Sequence, residues 1–286
     1  IVPNHMGVLE ADNAWWLDVL EHGRASSHAE TFDIEWKPAQ PEMEGRLLLP
    51  VLGDHYGRVL EAGEIRLHFD REAGEPDSFD ALDALISSQA YRLADWHVAS
   101  DDVNYRRFFD VNTLAALRME RPEVFEATHR KVLQWLQDGL LTGLRIDHPD
   151  GLSDPQAYFE QLQARYVAQA DVGGHPARAL YLLVEKIQAE HEPLPEDWPV
   201  HGDTGYRFGA MVNGLFVETR HENALLAAYH AFTGEPTDFE DVLLECKKLI
   251  IGTSLYSELN WLAHTLYRLT RGNRRRCDFT RNRLRA

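Results

Sequence analysis

The sequence predicts an α/β chain that contains part of a (β/α)8 TIM barrel, interrupted by an irregular inserted subdomain and followed by a C-terminal helical insertion. Three observations carry that expectation. Between residues 123 and 185 the pattern runs helix, strand, helix, strand, the alternation of parallel βα units. The strand Gly143-Leu144-Arg145-Ile146 delivers an acid, Asp147, and the strand from Tyr181 to Val184 delivers another, Glu185. Acids at the C-terminal ends of strands are where α/β barrels keep their chemistry.

In chain order, Ile1 to His5 reads as a strand finishing at the polar pair Asn4-His5, and Met6-Gly7 turns the chain away. Residues 8–110 show no clean βα rhythm; Ile65 to Phe69 alternates as a short strand and Phe79 to Ile86 is weakly helical. An irregular insertion of that length reads as a lid or side wall. Glu123 to Gln137 spaces Val124, Phe125, Thr128, Val132, Trp135 and Leu136 as an amphipathic helix, which Gly139 can end in a left-handed cap. In the next strand Leu144 and Ile146 face one side, Arg145 and Asp147 the other.

His148-Pro149-Asp150-Gly151 breaks the pattern before Asp154-Pro155 opens a helix as N-cap and first helical residue. That helix runs to about Ala170, with Tyr158, Phe159, Leu162 and Tyr166 on one stripe. Beyond Glu185 a Pro- and Gly-rich loop carries Trp198 and Tyr206, and helices are expected at about 221–232, 237–250 and 254–271 with no further strand. The resulting division is 1–7, 8–110, 111–190 and 191–286.

With 286 residues, 44% of them hydrophobic, the chain can bury a large core. A net charge of −17 argues against nucleic acid and anionic membrane as partners, since both require positive potential. No apolar run approaches the length of a membrane span. Cys246 and Cys277 fit neither a disulfide framework nor a metal motif, which favours a cytoplasmic setting. The opening Ile1-Val2-Pro3 reads as an internal piece of a longer protein, expected to act as a monomer.

Two carboxylates on neighbouring strand ends suit glycosidic bond chemistry, one attacking the anomeric carbon while the other protonates the leaving oxygen. A retaining mechanism wants them about 5–5.5 Å apart, and adjacent strands lie about 4.8 Å apart. Asp147 reads as the nucleophile, because Arg145 on the same strand face would hold it ionised. Glu185 reads as the acid, Leu183 and Val184 suggesting the apolar surround that proton donation at neutral pH favours. Aromatic rings in 8–110 suit sugar faces, though the sequence does not say which of them touch ligand. His5, Asp147, His148, Asp150 and Glu185 can be read as metal ligands, but no HxxxH or HxH spacing supports them, so neither metal nor cofactor is expected.

Val2-Pro3-Asn4-His5, Gly143 to Asp147, and Glu185 follow the order of the first three signature regions of the alpha-amylase superfamily of glycoside hydrolases. Together with Ile1 to Met6, Asn13 to Trp16, Val103 to Asp110, Leu144 to Leu152, Val184 to Ile187, Gly202 to Tyr206 and Val212 to Val217, they resemble the malto-oligosyltrehalose synthase family, over essentially the whole chain.

That resemblance implies a maltodextrin substrate whose reducing-end α-1,4 linkage is isomerised to an α,α-1,1 linkage. It implies Asp147 as nucleophile, Glu185 as general acid/base, Arg145 as the nucleophile's partner and His5 as a contact to the glucose in the cleaved subsite. It also singles out Asn4, His148, Asp150, Trp198, Tyr206 and Tyr105 as candidate substrate contacts. The sequence departs from the family where Asp203 stands for an expected Thr and Arg207 for an expected Asp, in the Asp expected just before Ile1, and in the third acid, which has no counterpart here. The 286 residues alone are therefore expected to be inactive or nearly so. A hydrolase or transglycosylase of the same superfamily, or an inactive glycan-binding protein, are the alternative readings.

Overall fold

The computed structural model describes residues 1–8, 12–66, 78–169, 178–189, 191–234, 238–272 and 278–285. The first half contains β1 (His5–Gly7), α1 (Ala14–His22), β2 (Leu47–Leu52), α2 (Tyr56–Glu61), α3 (Phe79–Ser87), β3 (Tyr91–Asp95), α4 (Ala99–Asp102), β4 (Arg107–Phe108) and β5 (Val111–Ala116). Then come α5 (Pro122–Gln137), β6 (Gly143–Ile146), α6 (Pro155–Gln169), β7 (Tyr181–Val184) and β8 (Gly202–Asp203). Helices complete the chain: α7 (Tyr206–Gly214), α8 (Glu222–Thr233), α9 (Phe239–Gly252), α10 (Tyr256–Arg271) and α11 (Arg281–Arg285).

The fold is mixed α/β, and among the described residues the strands form three small sheets, none of them closed into a barrel. Packing divides the chain into two compact units, the first made of residues 1–5 and 117–243, the second of 6–116 and 244–286. The boundary expected near residue 190 is not among these divisions.

In the first unit β6, β7 and β8 run parallel, with Gly143 opposite Tyr181 and Ile146 opposite Val184. Parallel strands must bury both faces; Leu144, Ile146, Leu182 and Val184 do so on one side. Helix α5 opens on Pro122, whose missing N–H costs nothing at a first helical position. Its buried stripe is Val124, Phe125, His129, Leu133 and Leu136, one step round from the stripe read off the sequence, and Trp135 lies outward beneath Lys131. Gly139 follows the helix at φ +70°, the left-handed position the sequence called for.

Asp154 caps α6 by accepting the Ala157 N–H at 2.9 Å. From the buried face of α6, Gln163 exchanges hydrogen bonds with both backbone groups of Leu180 and donates to the Pro199 carbonyl, all at 2.8–2.9 Å. That one amide fixes where β7 begins and where the following loop returns. The loop then pairs as β8, a short third strand where none was expected, followed by the unexpected helix α7. Two residues of ladder carry too little pattern to be seen in sequence.

The second unit contradicts the expectation of an irregular insertion at one place: β2 and β3 form a parallel pair, joined through α2 and α3. Pro50 inside the run Leu47-Leu48-Leu49-Pro50 hid this strand, since a Pro demotes a strand reading. Asn104 pins the pair, accepting the Leu48 N–H and donating to the carbonyls of Glu35 and Arg46. In the same unit Trp16 packs edge-on against Phe32 and Tyr105. The first strand is His5–Gly7 rather than Ile1–His5, with Ile1 instead accepting the Asp147 N–H at 2.9 Å. The strand expected at Ile65–Phe69 and the residue Cys277 fall wholly or mainly outside the described residues.

Candidate active site

Register decides what β6 and β7 present. Arg145 stands opposite Leu183 and Ile146 opposite Val184, and the Glu185 N–H donates to the Ile146 carbonyl at 2.8 Å, so the next residues, Asp147 and Glu185, leave the two strands side by side. Alternation buries Leu144 and Ile146 and turns Arg145 to the face where both acids lie.

The guanidinium clasps the pair. Arg145 Nη1 donates to Asp147 Oδ1 at 2.6 Å, and Nη2 lies 3.2 Å from Glu185 Oε1. Burial pushes the Asp147 carboxyl up, but hydrogen bonds with Arg145 and Glu185 and the Arg145 charge outweigh it, leaving Asp147 below its usual range. Asp147 is therefore held as the carboxylate. This is the state a nucleophile requires.

Glu185 has a polar surround, not the apolar one that Leu183 and Val184 suggested, because Val184 turns into the core and the carboxyl points to the donors. Besides Arg145, the Tyr206 hydroxyl donates to Oε1 at 3.1 Å and the His148 backbone N–H to Oε2 at 3.1 Å. His148 offers that N–H from a left-handed conformation, φ 43° and ψ 57°, uncommon for a residue with a side chain. Gly151 makes the turn possible: a Cβ there would stand 2.0 Å from Asn4 Nδ2 and 2.6 Å from His148 Cδ2. Asn4 is buried, with its Oδ1 3.0 Å from His5 Nδ1. Burial, then the neighbouring His148, lower the His5 pKa against the opposing pull of Asp147, so its ring is neutral at pH 7 and can accept or donate.

Arg145, Asp147, Glu185, His148 and Tyr206 therefore gather in one cluster, with Asn4 and His5 beside it. The other sequence candidates are engaged elsewhere. Asp150 pairs with Lys186 at 3.0 Å, and Lys186 also holds Glu192 at 2.9 Å, a bridge that no sequence signal announced. Trp198 is buried with its ring 5.0 Å from that of Phe159, and Tyr105 is buried in the second unit with its hydroxyl donating to the Asn112 carbonyl. Protein neighbours occupy the rings that sugar faces would need. The departure Asp203 has a local use, its Oδ1 accepting the Gly205 N–H at 2.5 Å just before α7 begins.

Among the described residues, the one set of three possible cation ligands drawn close together is Asp54, His55 and Asp95, in the second unit. Asp95 Oδ1 already accepts the His97 N–H at 3.0 Å, so turn chemistry accounts for that carboxylate. No described helix is long and apolar enough to cross a membrane.

No family model matches the chain. Two curated relatives, both putative maltooligosyl trehalose synthases of Mycobacterium tuberculosis strains, are 35% identical over 271 residues, covering 92% of this chain and 33% of theirs. The solved maltooligosyltrehalose synthase of Arthrobacter ramosus superposes with a TM-score of 0.80 at 35% identity, covering 93% of this chain and 34% of that one. A hypothetical maltooligosyl trehalose synthase of Sulfolobus tokodaii gives a TM-score of 0.72 at 30% identity, again over 93% of this chain and 34% of its own. The chain thus spans about a third of the length of the relatives it matches.

Proposed function

We propose that this chain is the part of a maltooligosyl trehalose synthase that carries two of its catalytic groups, and that the whole enzyme turns the reducing-end α-1,4 linkage of a maltodextrin into an α,α-1,1 linkage. What carries the reading is the Arg145 clasp on Asp147 and Glu185 at adjacent, in-register strand ends, in a chain similar to such enzymes over nearly all its length.

The steps follow from those groups. Glu185 gives its proton to the oxygen bridging the last two glucose units as the bond from that oxygen to the anomeric carbon breaks. Asp147, whose charge Arg145 had balanced, takes the anomeric carbon and forms a neutral glycosyl ester. The released glucose turns within the site, and its anomeric hydroxyl attacks the anomeric carbon of the ester, giving its proton to Glu185 as the bond to Asp147 breaks and the carboxylate leaves. Two displacements retain configuration, and the α-anomer of the acceptor sets the second α. Asn4 and His5, neutral and hydrogen-bonded to each other, suit the hydroxyls of the glucose being moved. On this reading β6, β7 and β8 are consecutive members of a larger parallel (β/α)8 barrel. The enzyme is cytoplasmic and monomeric with no nucleic-acid partner, in keeping with a net charge of −17.

The test is product analysis with full-length enzyme and maltopentaose. A non-reducing product of unchanged mass is expected; shorter reducing sugars would replace the mutase with a hydrolase.

A further inference from the structure

We infer that the second unit carries a separate binding site for a neutral glycan, a cleft between the 35–40 loop, α4, α10 and α11 with Trp261 as its platform. The cleft encloses about 240 Å³, below the ~300–1,000 Å³ of pockets that engulf a drug-sized ligand and suited to the one or two sugar units at the end of a chain. All its lining residues belong to the second unit, and none takes part in the Arg145 cluster.

Trp261 is 43% exposed, yet its indole is tethered: Nε1–H donates to Glu35 Oε2 at 3.2 Å, and Arg268 Nη1 lies 3.7 Å from the same oxygen. An aromatic surface held by its edge, open at the wall of a cleft, matches the C–H face of a pyranose. Around it the polar groups are planar and already oriented. Gln40 donates to Asp102 Oδ1 at 2.7 Å, and Arg285 reaches the Tyr256 hydroxyl and Asn260 Oδ1. Such amides, carboxylates and guanidinia are the side chains that hold vicinal hydroxyls in pairs.

Charge excludes the simpler ligands. Glu35, Asp101 and Asp102 are offset by Arg281 and Arg285 across the same lining, so neither a cation nor an anion finds a field of one sign. Identifying the glycan as an α-1,4-glucan rests on the function proposed above; the neutral-glycan site does not.

Titration of maltoheptaose into full-length protein bearing Asp147→Asn, so that no turnover intrudes, tests the site by calorimetry. Two molecules bound per chain are expected, and adding Trp261→Ala should remove one of them. Trp261→Phe, which keeps a ring but loses the bond to Glu35, should weaken that second binding severalfold, and Asn260→Ala likewise. Melting curves identify any variant that fails to fold, and the remaining variants then decide. A single bound sugar in the Asp147→Asn protein, or unchanged binding in the folded Trp261 and Asn260 variants, overturns the inference. The product assay separates the two claims: trehalosyl product with one bound sugar sinks the second site alone, whereas two bound sugars with only reducing products sink the mutase reading alone.

Discussion

Helices α5 and α8 belong to the same unit and are both plainly readable as helices, yet they have opposite fates. Five side chains of α5 are buried, Phe125 and His129 among them against Tyr158 of α6. None of α8 is, and its Phe232 is 91% exposed. Helix α7 repeats the case, with no buried residue and Phe216 just beyond it 85% exposed. An apolar side chain contributes about 1.5–3 kcal/mol only when it leaves water, so the pattern that makes a helix amphipathic does not by itself make it stabilising. What separates the two is a partner: α5 has α6, whose Tyr158 meets Phe125 and His129, in the unit where Leu144, Ile146, Leu182 and Val184 are also buried. The candidate chemistry sits on that packed side, where a rigid strand register can hold acids to fractions of an ångström.

The largest effect expected is therefore on the packed side and on turnover. Asp147→Asn keeps the shape and the Arg145 contact but removes the attacking charge, and kcat of the full-length enzyme on maltopentaose should fall on the order of 10³–10⁵-fold, with an unchanged melting curve. A near-normal rate would remove Asp147 from the mechanism.

Stability should split along the same line. In this chain Leu182→Ala, at a position fully buried, should cost about 2–5 kcal/mol, whereas Phe232→Ser should stay within about 0.5 kcal/mol and improve solubility by removing an exposed ring. Denaturant midpoints measure both. If Phe232→Ser proves as costly as Leu182→Ala, α8 is packed in solution and the contrast with α5 is lost.

The packed side was the legible one. Strands β6 and β7 emerged at their observed residues because an apolar alternation, a clean stop at each acid and a cap at Asp154 all agree there. The clasp of Arg145 on Asp147 could be foreseen from a two-residue spacing on one strand. Its reach to Glu185 could not, since that depends on register between strands 38 residues apart in sequence. Strand β2 was hidden by Pro50, and β8 by its brevity. Trp198 was singled out by resemblance, and sequence does not tell a ring that is exposed from one packed edge-on against Phe159. His129 is illegible for a different reason: a polar residue on an apolar stripe reads as a gap.

That residue gives the third prediction. His129 is fully buried, its Nε2 2.7 Å from the Tyr158 hydroxyl and its Nδ1 3.0 Å from the Phe125 carbonyl, and burial lowers its pKa to about 4. In the unfolded chain it titrates near 6.5. The unfolded state thus binds more protons between these values, so the contribution is complete above about pH 6.5 and is lost as pH falls toward 4, about 3 kcal/mol in all. Urea midpoints between pH 7 and pH 4 should show this loss, and His129→Gln, though less stable at pH 7, should flatten the slope by about one proton. An unchanged slope would mean that the ring is already solvated, and with it the α5 face.

The smallest effect bears on Tyr206, which belongs to both sides: it opens α7, a helix with nothing buried, yet its hydroxyl reaches Glu185 at 3.1 Å. The hydrogen bond to Glu185, then that carboxylate's charge, raise the phenol's pKa, so Tyr206 is a donor throughout the neutral range. The resemblance in sequence makes it a sugar contact; the geometry makes it a positioning residue acting through Glu185. The two roles differ in kinetics. A positioning role predicts that Tyr206→Phe lowers kcat about tenfold with KM within about twofold, because the lost bond is one that orients the acid rather than one that binds sugar. A rise in KM at constant kcat would return Tyr206 to the substrate.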